Sequence, residues 1–157
     1  MAGASTTEEI REIEARILGE HGTIRRALDR VAAGASSVLA EPSDQKTRDL
    51  EDAIWDLYIA LDDHLVMEES ELLPLLGRLD GPSSPRSRRL LEEHHLQRGL
   101  LLSVVDRTET GALDPERLAA VARRLVESFR ADMEYEERDL ADLCTESAFA
   151  LQSAAVS

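Results

Sequence analysis

The sequence is expected to fold as an all-α, antiparallel up-down-up-down four-helix bundle, and three features of its 157 residues lead there. Apolar residues recur at steps of three and four over long stretches, which keeps them on one face of an α-helix. No stretch alternates with the period of two that a half-buried strand needs. The helix-breaking signals fall at three short connections, which set consecutive helices side by side and antiparallel. Residues 1–157 read as one domain, long enough to build its own core.

The first helix is expected over about 6–39, because Ser5 with Glu8 and Thr6 with Glu9 both fit a capping box ahead of an apolar stripe. Ala40, Glu41 and Pro42 make the first turn. Ser43 then caps a second helix over about 43–79, carried by Leu50, Ile54, Leu57, Leu61, Leu72 and Leu75 or Leu76. Gly81 to Ser84 breaks it, and Pro85 opens a third helix over about 85–107 at its first position. Asp114 and Pro115 start a fourth, over about 114–147, along Leu118, Val121, Leu125 and Phe129. The weakly patterned tail from Ala148 to Ser157 is expected to fray, while Trp55 and the leucine stripes are expected in the core.

Composition narrows the function classes. A formal charge of −14, from 32 acidic and 18 basic residues, argues against nucleic acid or an anionic membrane as partner, since both need a basic surface. No segment has the length and apolarity of a membrane span, and the start of the chain lacks a charged-then-apolar export pattern. The single Cys144 permits no internal disulfide and reads as a packing residue, so a reducing cytoplasm is the expected setting.

Chemistry enters where the stripes change character without losing their spacing. The first runs Ile10, Ile13, Ile17, His21, Ile24, Leu28, Val31; the second runs Leu57, Leu61, His64, Glu68, Leu72. Burying such groups without partners costs several kcal/mol each, and a metal ion is the partner that imidazoles and carboxylates share best. Chain register supports this. His21 and His64 stand about 20 and 22 residues either side of the first turn, roughly 30 Å along their helices. Glu68 and His94 stand about 13 residues either side of the second connection, and Asp132 and Glu136 reach a comparable height in the fourth helix with the same i, i+4 spacing as His64 and Glu68. Only one of His94 and His95 can point inward. His94 is favoured through its face with Leu90, Leu91, Leu101 and Val105, with His95 flanking the site or bonding on the surface. Tyr135 is open between a site residue and a packing residue. Glu69, Glu71, Glu134 and Glu137 read as a solvated acidic face, from which Glu69 or Glu137 could support a ligand.

Glu20-His21, then His64-Leu-Val-Met-Glu68-Glu69 followed by Leu72-Leu73-Pro74, then Glu93-His94, then Asp132-Met-Glu-Tyr-Glu136-Glu137, in that order, resemble the hemerythrin-like, cation-binding four-helix family. The resemblance covers roughly Ile10 to Leu143. It implies a non-haem di-iron centre with His21, His64 and His94 as terminal ligands and Glu68 and Glu136 as bridging carboxylates, zinc or manganese being the other ions such donors suit. Two departures stand out. The family's fourth-helix motif begins with histidine where this chain has Asp132, and its oxygen carriers offer a second third-helix histidine where this chain has Arg98. With Asp132 as sixth ligand, the resemblance implies about three imidazoles and three carboxylates, a harder and more anionic set that favours ferric iron. Two function classes therefore stay open. One is an iron protein handling dioxygen, peroxide or nitric oxide as sensor, carrier or modest oxidative enzyme; the other is a degenerate or zinc-binding bundle serving as a scaffold or partner-binding module.

Overall fold

The computed structural model describes residues 2–111 and 113–155. Among the described residues there are helices and no strand: α1 (Ala2–Ala40), α2 (Asp44–Ser70), α3 (Leu72–Asp80), α4 (Pro85–Thr110) and α5 (Pro115–Ala155). α1 packs chiefly against α2 and α5, and α4 closes the bundle against α2, α3 and α5.

The caps expected at Ser43 and Asp114 form, Ser84 caps α4 as well, and Ser5 and Thr6 lie within α1 rather than at its start. The Lys46 N–H donates to Ser43 Oγ (3.2 Å), the Ser87 N–H to Ser84 Oγ (3.1 Å) and the Arg117 N–H to Asp114 Oδ1 (2.9 Å). Each satisfies a first-turn donor that the helix itself cannot. Gly111, at φ +62°, takes the left-handed conformation that ends α4.

Four boundaries differ from expectation. α1 is already helical at Ala2 rather than after Ser5 or Thr6, with the strong helix former Ala at 2 and 4. The helix expected over 43–79 divides at Glu71, because Pro74 has no N–H to donate to Ser70 and its ring crowds that carbonyl. α4 runs on to Thr110. α5 continues to Ala155, so residues 148–155 extend the helix instead of fraying. Trp55 is also displaced from its expected place: it stands 38% exposed, edge-on to Tyr58, one residue round the helix from the buried Ile54.

The core comes in two parts. One cluster joins Ile24, Leu28, Val31, Leu57, Leu61, Leu101, Leu125, Phe129 and Met133; the other joins Ile10, Ile13, Ile17, Met67, Leu72, Leu75, Leu90, Leu140 and Leu143. Each such side chain contributes about 1.5–3 kcal/mol on burial. Along every long helix the boundary between the clusters falls at a polar group. His21 separates Ile17 from Ile24, His64 separates Leu61 from Met67, His94 separates Leu90 from Leu101, and Glu136 separates Met133 from Leu140. A polar layer thus crosses the bundle where the apolar stripes change cluster.

Candidate metal centre

Four donors converge in this layer. One ligand atom each from His21, His64, Glu68 and Glu136 lie within 4.8 Å of one another, supplied by α1, α2 and α5. His21 Nε2 lies 3.3 Å from His64 Nε2 and 3.1 Å from Glu136 Oε2. His64 Nε2 is 3.5 Å from Glu68 Oε1 and 3.9 Å from Glu136 Oε2. His21, His64 and Glu68 are fully buried. Glu68 reaches two ways, since its other oxygen, Oε2, lies 2.9 Å from His94 Nε2 on α4.

A second ring of carboxylates holds the imidazoles from behind. Nδ1 of His21 faces Glu137 Oε1 (2.8 Å), Nδ1 of His64 faces Glu20 Oε2 (2.9 Å), and Nδ1 of His94 faces Glu69 Oε1 (2.9 Å). An ionised carboxylate only accepts, so each contact keeps the proton on Nδ1 and turns Nε2 toward the layer's centre. Arg98 donates to both oxygens of Glu69 and fixes that carboxylate in turn. Glu137 likewise pairs with Arg25.

Electrostatics show what this cluster lacks. Burial, reinforced by the adjacent Glu136, pushes the Glu68 carboxyl up to about 10. Burial alone would lower the basicity of His21 and His64, yet their carboxylate neighbours, Glu136 first, hold both above the ordinary histidine value. Burial would likewise raise Glu136, but the two imidazoles hold it well below the carboxylate range. The cluster thus favours added positive charge in its midst. Glu68 Oε1 is buried with no hydrogen-bond partner among the described residues, an arrangement that costs about 1–3 kcal/mol unless something else binds it. Two inward imidazole nitrogens, a carboxylate oxygen beside them and that orphaned oxygen fit a cation of the Fe, Zn or Mn kind.

The remaining expected residues are distributed as follows. His94 is buried in the layer and His95 is exposed. Asp132 lies outside the four-donor group, exposed, with its Oδ2 accepting from Gln97 Nε2 at 3.4 Å. Tyr135 is half-exposed, with Arg89 over its ring and bonded to its hydroxyl. Cys144 donates to Glu14 Oε2 (3.0 Å), and burial together with that carboxylate pushes its thiol up to about 12. Sequence reasoning gave Glu20 no role of its own. The available signal was its place beside His21, since each outer acid on α1, α2 and α5 directly adjoins an inner donor: Glu20 and His21, Glu69 and Glu68, Glu137 and Glu136. A cavity of about 30 Å³, lined by Leu72, Leu76, Leu90, Leu140 and Tyr135 among others, reaches Glu136 at the edge of the layer. That volume suits one water or a molecule of two or three atoms.

Residues 12–144 match the family model of the hemerythrin HHE cation-binding domain. No curated protein and no solved structure matches the chain.

Proposed function

The chain belongs to the hemerythrin HHE cation-binding family, and from that premise we propose that it holds a non-haem di-iron centre at which dioxygen, peroxide or nitric oxide is bound, sensed or turned over. The observation that carries this reading is the convergence of His21, His64, Glu68 and Glu136 within 4.8 Å around a buried carboxylate oxygen that has no hydrogen-bond partner among the described residues. Iron bound there would supply redox-active coordination of a small ligand. The chain's own residues do the rest. His21 and His64 offer Nε2 on one side of Glu68, His94 offers Nε2 on the other, and Glu68, with an oxygen toward each, is the natural bridge. Glu136 serves as the second carboxylate, and Asp132, one turn earlier on α5, as the sixth ligand. Glu20, Glu69 and Glu137 orient the imidazoles and make them more basic donors. The small cavity against Glu136 admits a small ligand and little else.

The same proposal takes the helices as an antiparallel up-down bundle in one domain, working in a reducing cytoplasm. Its acid-rich donor set favours the ferric state, which points away from reversible oxygen carriage and toward sensing or peroxide and oxidase chemistry. A second reading has its own support: the four converging donors match in number and kind what a single zinc ion takes, with His94 outside the group. Elemental analysis of protein purified from iron-replete cells, with its absorption spectrum, separates the two. Iron near two ions per chain with near-ultraviolet charge-transfer absorption, perturbed by peroxide or nitric oxide, is the expected result. One zinc per chain and a silent spectrum would favour the zinc-binding reading, and no metal at all the scaffold.

A further inference from the structure

We propose that α4 is the movable wall of the polar layer, and that metal ions enter and leave the layer between α4 and α5, through a seam latched by Arg89 and Tyr135. This rests on the reading of the layer as a metal centre. The four converging donors stand on α1, α2 and α5, and α1 packs extensively against both of the others. α4 touches its neighbours far less and brings one imidazole to the layer, that of His94. Its grip also lapses at that level. Buried apolar residues flank the layer seven positions apart on α1 (Ile17 and Ile24) and on α5 (Met133 and Leu140), but eleven apart on α4 (Leu90 and Leu101), with His94 alone buried between them. About three turns of α4 thus cover the layer without one buried apolar side chain. A segment held by so little apolar burial opens locally at low cost.

Polar contacts span the seam instead. Arg89 donates to the Tyr135 hydroxyl, with its guanidinium 5.8 Å from the centre of the ring. One turn back, Arg86 reaches Asp139 (3.7 Å) and Glu146 (3.3 Å), and on the other side of the layer Gln97 donates to Asp132 (3.4 Å). Contacts of this kind near solvent are individually weak, so they can part and re-form. The cavity that reaches Glu136 opens on this same seam. Leu72, Leu76 and Leu140 are buried and make its inner wall, while Arg89 and Tyr135 stand on its solvent side. Charge favours a cation along the path. Glu93, half-buried on α4, feels the carboxylates of Glu136 and Asp132 across the seam, and parting the two helices admits a cation among all three. The same movement draws His94 away from Glu68 and uncovers the donors that the other helices keep in place.

The test follows ferrous iron anaerobically by stopped-flow, as the metal-free chain takes it up and as the loaded chain yields it to excess ferrozine. Tyr135→Ala removes the latch without changing charge, and Tyr135→Phe keeps the ring under Arg89 while removing the hydroxyl. Uptake and release should both quicken, by about five-fold in Tyr135→Ala and about two-fold in Tyr135→Phe, the size of an exposed cation–π contact and hydrogen bond. Because both rates rise by one factor, the affinity should stay at the wild-type value, which loss of a ligand or of a positioning group would not allow. Phe149→Ala, which removes an exposed aromatic near the far end of α5, should alter neither rate. Hydrogen exchange on the metal-free chain reads the same opening without iron: amides of residues 91–100 should exchange faster than those flanking His21 on α1 and His64 on α2. A wild type that takes up no iron would overturn the metal reading and the gate together. Rates common to all the chains, an affinity that falls in step with faster release, or equal protection on α1, α2 and α4 would overturn the gate alone.

Discussion

At the scale of single residues, Glu68 is where stability and function pull apart. Its carboxyl is buried, pushed up to about 10, and leaves one oxygen without a partner among the described residues, so in the metal-free protein it is a cost that a bound cation would remove. Glu68→Leu should therefore strip the metal while leaving the apo fold intact or stabilising it, by about 1–4 kcal/mol in a urea titration, as replacing a buried, incompletely bonded polar group by apolar volume does elsewhere. A purely structural Glu68 would give the opposite, a destabilised apo protein. Cys144 shows a milder case: with its thiol at about 12 it should react slowly with thiol reagents near neutral pH. Much at this scale was legible. An interrupted apolar stripe found His21, His64 and Glu68, because helical spacing alone dictates which positions turn inward. Spacing also pointed to His94 rather than His95, through the face it shares with Leu90, Leu101 and Val105, and His94 is the one that the packing of α4 buries.

At the scale of elements, α1, α2 and α5 each supply an inner donor and, at an adjacent position, an outer acid that crosses to a neighbour. Glu20 of α1 holds His64 of α2, Glu69 of α2 holds His94 of α4, and Glu137 of α5 holds His21 of α1. Removing one outer acid should loosen an imidazole rather than delete it. Glu137→Ala is thus expected to lower metal affinity about 10- to 100-fold with the ligand set intact, measured by competition with a chelating dye. On α4 the corresponding acid is Glu93, half-buried and raised by burial and by the charges of Glu136 and Asp132. On the same pattern Glu93 would hold an imidazole on α5, and at position 132 this chain has Asp instead. Asp132→His should let Glu93 engage the new ring, remove one negative charge from the proposed ligand set and raise the reduction potential of bound iron. An unmoved potential would place position 132 outside the centre. None of this crossing pattern could be read from the chain, because which acid meets which imidazole depends on helix rotation. The break at Glu71 could be: Pro74 announces it, although the unbroken leucine spacing across 72–76 suggested one helix.

At the scale of the whole molecule, the bundle carries a layer of titratable groups through its core, and its pH dependence should report this. His21 and His64 have folded values above 6.5, so the stability they lend is present below 6.5 and fades as pH rises through those values. Glu68, moved from 4.5 to about 10, acts in the same direction over that wider window. Glu136 is lowered, so its contribution is present above 4.5 and is lost in acid. The metal-free protein should accordingly be most stable near about pH 4.5, below which Glu136 loses its contribution and above which Glu68 does, and weaken toward alkaline pH. Metal binding needs the same groups deprotonated, so the gain in melting temperature on loading should widen as pH rises. A gap independent of pH would detach the titrating cluster from the metal. The most direct test of the central claim is an anaerobic titration of the metal-free chain with ferrous iron, following proton release together with bound metal. Wild type and the surface control Glu134→Gln should bind saturably and release protons, while His64→Ala should lose most of both. Equal binding by all three, without protons released, would mean that the acidic surface takes up the iron and that the buried layer does not hold it.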